Sequence, residues 1–285
     1  MSHALQGKIA IVTGASRGVG KGIALALGEA GATVYITGRS VQEGESPLPG
    51  TIMQTAEEVT RLGGQGIAIR CDHGRDEEVE HLFLRVQEER GRLDILVNNA
   101  WSGRMDAVFC DRPFWEQPWA IWDELHTVGF RSHYIASALA ARLMVSQRAG
   151  LIVNISSSGA ARYVFNVAFG AAKAGLEKMT ADMARELHPY GVAVISLWPG
   201  TVRTERVLAQ PERWPLDIYR GESPQFAGRA VAALAADSNV MAKTGQRLIV
   251  SDLAMEYDFT DLDGTRPPLS PGIAALRAAG EPPSP

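Results

Sequence analysis

Short runs of β-forming residues alternate with longer amphipathic segments along most of this chain. The runs are rich in Val and Ile, and they occupy residues 8–13, 33–37, 67–70, 94–97, 151–155 and 192–197, with 248–250 as a candidate seventh. Apolar residues recur at helical spacing between them, for example over 79–86. Such alternation predicts a parallel sheet covered by helices on both faces. We therefore predict a single doubly wound, Rossmann-like α/β domain over residues 1–264.

Four segments depart from this alternation. Residues 40–50, 101–118 and 201–223 are longer than ordinary connections, and such long loops are usually functional or disordered. Two of them follow strands at the edge where open α/β sheets bind ligands. The last segment, 265–285, is rich in Pro and Gly, which predicts a tail that is poorly ordered at its end.

Composition excludes several classes of protein. The 285 residues include 28 basic and 32 acidic side chains, and this weak negative balance argues against a nucleic-acid-binding protein. Cys71 and Cys110 lie far apart, so neither a disulfide framework nor a metal site is expected. The sequence begins without a signal-peptide pattern and has no apolar run long enough for a membrane span. We expect a cytoplasmic protein.

A glycine-rich string follows the first predicted strand. Gly14, Gly18 and Gly20 are spaced G-x-x-x-G-x-G and open a predicted helix. Glycine permits left-handed backbone and close approach of a ligand, while the free N–H groups of a helix N-terminus favour a pyrophosphate. The string therefore predicts a dinucleotide site, and the alternative is a tight turn without a ligand.

The end of the second strand bears on which dinucleotide binds. Folds that prefer NAD place a carboxylate here for the ribose 2′-hydroxyl, whereas this chain has Gly38, which leaves space, followed by Arg39. Together with Arg17 in the glycine string, Arg39 can form forked, charge-assisted bonds to a 2′-phosphate. We predict NADP(H) in preference to NAD(H). The alternative is that both arginines are solvated loop residues.

Further motifs occur in a fixed order over residues 8–250. They are TGASRGVG at 13–20, Asp72 after the third strand, Asn-Asn-Ala at 98–100, Asn-Ile-Ser-Ser at 154–157, and Pro-Gly at 199–200 with Thr204. In this order they resemble the short-chain dehydrogenase/reductase family, and several other stretches resemble one branch of it. The resemblance implies hydride transfer between NADP(H) and a carbonyl or alcohol. It places Gly14, Ser16, Arg17, Gly18, Val19, Gly20, Arg39, Asp72, Asn99, Lys173, Pro199, Gly200, Val202 and Thr204 at the cofactor.

The family's catalytic pair is Tyr-x-x-x-Lys, and here the pattern departs from it. Lys173 matches the lysine, but Phe169 stands where the family has tyrosine. In the family the lysine binds the nicotinamide ribose and lowers the pKa of the phenol, which protonates the carbonyl oxygen. Phenylalanine has no proton to give, and a general acid is worth roughly 10²–10⁴ in rate. Tyr163 is the nearest other phenol, but it has no lysine four residues on.

Two further positions belong to the catalytic pattern. Gly129 stands where many members have an asparagine that supports a proton-relay water, so the relay is in doubt. Ser157 is our choice for the catalytic serine, which polarises a substrate oxygen, and Ser156 is the alternative. A purely structural hydroxyl at the strand end is also compatible with this position.

The residues that would contact a substrate are less clearly indicated by the sequence. Trp115, Trp119 and Trp122, with Phe114 beside them, can line an apolar cleft with Trp101, or pack into the core as one helical stripe. Residues 201–223, the lid segment from here on, are suited to closing over cofactor and substrate. His73, His126, His133 and His188 have no triad or metal spacing, and the aspartates at 258, 261 and 263 form only a fragment of a calcium loop.

Two functions remain open at this point. The first is an NADP(H)-dependent oxidoreductase whose turnover is low or abolished because of Phe169, acting on a small, apolar carbonyl or alcohol. The second is a non-redox protein of the same fold, either a nucleotide-binding module or a cyclase or isomerase. The resemblance also implies a homodimer or homotetramer, packed through helices near 121–146 and 169–188. Phe169 is either natural or an introduced substitution.

Overall fold

One parallel sheet organises the part of the chain that the computed structural model describes, namely residues 3–103, 108–109, 112–214 and 218–280. Its strand order is β3-β2-β1-β4-β5-β6-β7. The strands are β1 (Ile9–Val12), β2 (Thr33–Gly38), β3 (Gln65–Arg70), β4 (Ile95–Asn98), β5 (Gly150–Ile155), β6 (Val192–Trp198) and β7 (Arg247–Ile249). The predicted doubly wound α/β sheet is confirmed, with strand ends within two residues of those expected.

Helices cover both faces of this sheet. They are α1 (Gly18–Glu29), α2 (Ile52–Arg61), α3 (Asp76–Arg90), α4 (Ala120–His126), α5 (Ser132–Gln147), α6 (Val167–Leu187), α7 (Glu205–Ala209), α8 (Pro224–Ala236), α9 (Val250–Glu256) and α10 (Pro271–Ala278). Residues Thr127–Arg131 form a π-helical turn between α4 and α5. None of the helices within the described ranges is long and apolar enough to cross a membrane.

Alternate residues of the central strand enter opposite cores. Ala10 and Val12 of β1 belong to the apolar cluster that includes α1 and α8, whereas Ile9 and Ile11 belong to the cluster that includes α3 and α5. Because successive side chains of a strand point to opposite faces, a strand buried on both sides is apolar throughout. This explains why the short uninterrupted apolar runs predicted the strands.

All strands run parallel, but the order in which they are added changes side at β1, which pairs with β2 on one side and β4 on the other. The glycine string follows β1, and Asn99 follows β4. Open α/β sheets bind ligands in the crevice at such a switch point, outside the carboxyl ends of the strands. The fold therefore brings the two predicted cofactor motifs to one edge.

Part of the C-terminal segment folds onto the domain. Residues Pro271–Ala278 form α10, whose Ile273 is buried. Arg277 in α10 forms an ion pair with Asp252 in α9. A Cβ atom at Gly272 would lie 3.2 Å from the hydroxyl of Ser158, so α10 starts beside the segment that follows β5. The predicted poor order at the very end concerns residues 281–285, which lie outside the described ranges.

Candidate functional site

The glycine string forms a cradle closed by the turn after β4. Gly14 has a φ of +66°, and a Cβ atom there would lie 2.7 Å from the Cα of Ala100. A Cβ at Gly20 would lie 2.3 Å from the side-chain nitrogen of Asn99. The Asn99 amide donates to the carbonyl oxygens of Thr13 and Gly14, at 2.9 and 3.1 Å. These positions therefore accept only glycine, because the two loops are in direct contact.

The N-terminus of α1 presents backbone N–H groups at this cradle. Its cap residue, Arg17, provides no side-chain hydrogen bond to the first turn. The N–H of Gly18 instead donates to the carboxylate of Glu205, 2.8 Å away in α7. A helix N-terminus favours an anion, and a carboxylate of the lid segment takes that place here. The helix thus has the capacity for a phosphate.

The two arginines expected at the adenosine end differ in their surroundings. Arg17 donates to the carbonyl oxygens of Pro49 and Gly50 and to the Ser40 hydroxyl. The pKa of Arg17 is lowered, mainly by burial. The Glu205 carboxylate opposes this shift and the Arg39 guanidinium adds to it, so the two arginines influence each other. Arg39 is mostly exposed, and its Nη1 lies 4.0 Å from a carboxylate oxygen of Asp72. Arg39, unlike Arg17, is open to a ligand.

Gly38 does not leave open space, contrary to the sequence-based expectation. A Cβ atom there would lie 3.1 Å from Ile52 and 3.8 Å from the buried Ser16. The first residue of α2 therefore packs closely against this position. Asp72 accepts a hydrogen bond from the N–H of Gly74 at 3.0 Å, and it lies within reach of Arg39.

Phe169 and Lys173 lie one turn apart near the start of α6. The side chain of Asn166 caps the helix by accepting from the N–H of Phe169 at 2.9 Å. Lys173 is buried, and its Nζ donates to the carbonyl oxygen of Ile155 at 3.0 Å and lies 6.0 Å from the centre of the Phe169 ring. Burial lowers the pKa of Lys173 to about 8. The helix thus places both side chains on one face, as i and i+4 residues must be.

The segment after β5 brings a serine to the Phe169 ring. A Cβ atom at Gly159 would lie 2.5 Å from Cε1 of Phe169 and 3.2 Å from Oγ of Ser157. The Ser157 hydroxyl also accepts from the N–H of Gly159 at 3.3 Å, so it has the structural capping role as well. Ser156 has a buried Oγ without a hydrogen-bond partner among the described residues. Tyr163 is 74% exposed, which does not support its use as a substitute acid.

Gly129 lies in the π-helical turn, and Trp101 takes the adjoining space. A Cβ atom at Gly129 would lie 2.8 Å from Cδ1 of Trp101. The Trp101 ring in turn meets Phe169 edge-on, with 6.3 Å between ring centres. An aromatic side chain therefore occupies the region beside the position of the relay asparagine.

Below the site lies a network of buried polar groups. The Asn98 amide donates to Ser137 and Asn154, each at 2.8 Å, and the Nε2 of His133 lies 2.9 Å from the carbonyl oxygen of Ala100. Burial, followed by the charge of Lys173, lowers the pKa of His133 to about 3. The network supports the strand ends and the Asn98–Asn99–Ala100 turn.

The other histidines lie in several environments. His73 is buried with its Nε2 2.7 Å from Thr37 Oγ1, His126 stacks on Trp122 with ring centres 3.7 Å apart, and His188 is exposed.

No group of three His, Cys, Asp or Glu side chains within the described ranges can hold a metal ion. Asp261 is buried and accepts from Ser223, so it stabilises the start of α8. Cys71 is a buried free thiol, and Cys110 lies outside the described residues.

The segment after β6 carries Pro199, Gly200, Val202 and Thr204. The N–H of Gly200 donates to Glu222 at 2.9 Å, and Val202 pairs with Glu222 in a parallel bridge. Burial raises the pKa of Glu222 to about 8. The hydroxyl of Thr204 caps α7, and a Cβ at Gly18 would lie 3.4 Å from Thr204 Cγ2. The beginning of the lid segment, at Thr204 and Glu205, is therefore docked on the glycine cradle.

Sequence reasoning missed three residues of this region, namely Glu205, Arg206 and Glu222. The first two follow the Thr204 motif directly, and their charges were the available signal. Glu222 gave no signal, because nothing in its local sequence indicates that it is buried beneath Gly200.

The expectation that the tryptophans pack into the core was wrong. Trp119 is 92% exposed, and Phe114, Trp115 and Trp122 are also exposed, so these side chains do not enter the core. Trp101, by contrast, does lie beside Phe169. Residues 104–107, 110–111 and 215–217 of the two long loops lie outside the described residues.

The sequence matches a known protein family and related proteins over most of its length. The sequence profile described as short chain dehydrogenase matches residues 8–213. The mouse protein dehydrogenase/reductase SDR family member 1 is 44% identical over 274 residues, which cover 91% of this chain and 85% of that protein. This is the branch that the sequence resembled.

Solved structures share the fold. A metagenomic short-chain oxidoreductase in complex with NADP matches with a TM-score of 0.70 and 28% identity, covering 86% of this chain and 97% of the other. A 7α-hydroxysteroid dehydrogenase complexed with NADH and 7-oxo glycochenodeoxycholic acid matches with a TM-score of 0.73 and 25% identity, covering 92% and 96%. The chain belongs to the short-chain dehydrogenase/reductase family of oxidoreductases, whose fold implies a nicotinamide cofactor.

Proposed function

We propose that this protein binds NADP(H) and is built for hydride transfer between that cofactor and a carbonyl or alcohol, with turnover low or abolished because Phe169 replaces the general acid. The observation that carries the proposal is the placement of Lys173, Phe169 and Ser157 around one point at the carboxyl edge of the sheet. Trp101 meets the Phe169 ring and follows Ala100, which contacts Gly14, so this point is linked to the glycine cradle by the turn after β4.

The described residues fit a dinucleotide. Gly14 and Gly20 keep the cradle free of side chains, and the N-terminus of α1 offers backbone N–H groups. In this proposal Gly14, Ser16, Arg17, Gly18, Val19 and Gly20 would hold the phosphates, and Arg39 and Asp72 would hold the adenosine. The nicotinamide end would be held by Asn99, Lys173, Pro199, Gly200, Val202 and Thr204. When bound, the nicotinamide donates or accepts the hydride.

The chain's own residues have separate roles in this proposal. With a pKa of about 8, Lys173 is mostly protonated at pH 7, so it can donate to a ribose hydroxyl as well as to Ile155. The Ser157 hydroxyl can donate to a substrate oxygen. Phe169 holds no proton, and therefore the site positions a substrate without supplying its acid.

The preference for NADP(H) rests on charge. Arg39 is exposed at the proposed adenosine end, and the residue before it is Gly38 rather than a carboxylate. Of the two structural relatives described above, one holds NADP and the other NADH. The arginine pair therefore supplies the argument for this chain.

A calorimetric titration with NADPH and NADH tests nucleotide binding, and Phe169→Tyr tests the chemistry. We expect tighter binding of NADPH and a gain of roughly 10²–10⁴ in the rate of NADPH oxidation with aromatic and aliphatic carbonyl compounds. Phe130→Tyr is the control, because it adds a phenol in the π-helical turn, where no lysine stands four residues on. No binding of either nucleotide would overturn the proposal, as would no gain of activity in Phe169→Tyr with binding intact.

A second candidate function is a non-redox protein on this fold. Phe169 and Gly129 favour this second function, because the general acid and the asparagine of the proton relay are both absent. Trp101 lies against Gly129 instead. Product formation without a change in nicotinamide absorbance would support a cyclase or isomerase. Tight NADPH binding without reaction in either variant would support a nucleotide-binding module.

We also propose a homo-oligomer, formed through the helices at 121–146 and 169–188. The exposed Trp122 lies at the first of these helices. Sedimentation of the intact protein tests this, and a monomer at micromolar concentration would contradict it.

A further inference from the structure

Aromatic side chains pack around the Phe169 ring. Trp101 and Phe165 meet it edge-on at 6.3 and 5.0 Å, and Phe109 and Trp214 continue the group, with ring centres 5.1 and 5.7 Å from that of Phe165. Phe165 has a φ of +61°, a strained conformation for a non-glycine residue. Such strain is retained where the surrounding structure holds a side chain in place. We call these five rings the aromatic wall.

A guanidinium group lies against this wall. The Cζ of Arg206 is 5.5 Å from the centre of the Trp101 ring, and its Nη1 donates to the carbonyl oxygen of Gly103. Among the described residues no carboxylate lies within 4 Å of the Arg206 guanidinium. Burial, and then the charge of Arg17, lowers the pKa of Arg206. The group is thus a partly desolvated cation with donors to spare.

An arginine in this setting calls for an anion. Removing a charge from water is costly unless the charge is paired, and a carbonyl oxygen together with a ring face compensates only part of that cost. A carboxylate can accept two parallel N–H bonds from the guanidinium, which is the strongest pairing open to it. A bound carboxylate would supply this pairing.

Arg206 and its neighbour Glu205 have different hydrogen-bond partners. Glu205 points to the N–H of Gly18, whereas Arg206 points to Trp101 and Gly103, after the Asn99 turn. Successive side chains of a helix diverge by about 100°, so adjacent residues serve different regions. Arg206 therefore lies over Trp101, whose ring meets Phe169, and it is also within reach of the Arg17 charge.

We infer that Arg206 and the aromatic wall form a subsite for the carboxylate of an apolar oxo acid or hydroxy acid whose reacting carbon lies beside Phe169. This deepens the proposed function and rests on it. Arg206 is then the specificity-determining residue: the rings hold the apolar body, and the guanidinium selects acids over neutral compounds of the same shape.

The test uses the unmodified protein. Because Phe169 provides no proton, the complex with an oxo acid should persist long enough to be measured. The NADPH-saturated protein is titrated calorimetrically with 3-benzoylpropionate and with its neutral amide. We expect the acid to bind at least about tenfold more tightly than the amide. Arg206→Gln should weaken binding of the acid by roughly 10–100-fold and leave the affinities for the amide and for NADPH unchanged. Arg213→Gln, an exposed arginine of the same segment, should change none of them.

Several results would overturn the inference. Equal affinities for acid and amide, or no binding of the acid at about 1 mM, would show that no acid-selective subsite exists. An equal loss of NADPH affinity in Arg206→Gln would assign the arginine to the nucleotide. If NADPH itself does not bind, the proposed function fails instead, and the same acid–amide comparison on the nucleotide-free protein decides the subsite alone.

Discussion

The indole of Trp101 occupies the place that any side chain at Gly129 would need. The distance from a Cβ atom at position 129 to Cδ1 of the indole would be 2.8 Å, closer than carbon atoms pack. Trp101 also contacts the Phe169 ring edge-on and lies under Arg206. The glycine in the π-helical turn and the tryptophan after the Asn99 turn are therefore one structural unit, so the departure at Gly129 has a steric cause in this chain.

Gly129→Ala is expected to destabilise the protein despite the higher helix propensity of alanine. The added methyl group must displace Trp101, and overpacking of this kind costs about 1–3 kcal/mol. Urea unfolding of the two proteins measures the difference.

Two comparisons make that result specific. In a Trp101→Leu background the cost of Gly129→Ala should fall to near zero, because the indole is gone. Gly170→Ala in α6 is the matched control, since a Cβ there would meet only the carbonyl oxygen of Gly159 at 3.5 Å, and it should be neutral or stabilising. The same penalty in both backgrounds would contradict the steric account.

Glu205→Gln is expected to tighten nucleotide binding. The carboxylate of Glu205 holds the N–H of Gly18 at the phosphate cradle, where it competes with a pyrophosphate and repels it. Removing the charge should raise the affinities for NADPH and NADH alike, by roughly 5–30-fold for about 1–2 kcal/mol. Calorimetry checks this, with the exposed Glu212→Gln as the control in the same segment. Weaker binding would mean that Glu205 supports the loop in the bound state.

The sheet could be predicted from sequence because its strands are buried on both faces. The run at 192–197 is apolar at nearly every position, and β6 is buried along its whole length. The glycine string was equally informative, since Gly14 and Gly20 are fixed by contacts that only glycine allows. Local sequence was sufficient wherever the requirement itself is local.

The tryptophans show where such reasoning stops. Their spacing fits one face of a helix, yet Trp115 belongs to a separate 3₁₀ turn, Phe114–Glu116, and α4 begins only at Ala120. Spacing also does not say what a face contacts, and here the aromatic side chains remain exposed. Glu205 and Arg206 were missed for the related reason that their partners, Gly18 and Gly103, lie 187 and 103 residues away along the chain.

Arg39→Ser is expected to separate the two nucleotides. If Arg39 binds the 2′-phosphate, its loss should weaken NADPH binding by roughly 10–100-fold and leave NADH binding unchanged, because charge-assisted bonds of this kind are worth about 1.5–3 kcal/mol. Competitive titration of both nucleotides measures the ratio. Arg70→Ser is the matched control, since Arg70 is an exposed arginine at the end of β3 that pairs with Glu78 at 2.9 Å. An equal loss for both nucleotides would contradict a 2′-phosphate role.

Glu222→Gln is expected to change how stability depends on pH. Burial raises the pKa of Glu222 to about 8 from an ordinary value of 4.5, so the folded protein keeps a proton that the unfolded chain releases. The stability contributed by this group is complete below pH 4.5 and is lost as the pH rises through 8, with a slope of up to about 1.4 kcal/mol per pH unit. Glutamine can still accept from Gly200 and carries no proton to lose. The difference in the free energy of unfolding between Glu222→Gln and the unmodified protein should therefore shift in favour of the variant from pH 5 to pH 8. Urea unfolding at about four pH values measures this difference.

Glu186→Gln, at an exposed position of α6, is the control, and its free energy of unfolding should follow that of the unmodified protein at every pH. If the Glu222→Gln curve runs parallel as well, Glu222 is ionised beneath Gly200 and its carboxylate, rather than its acid form, holds the segment after β6.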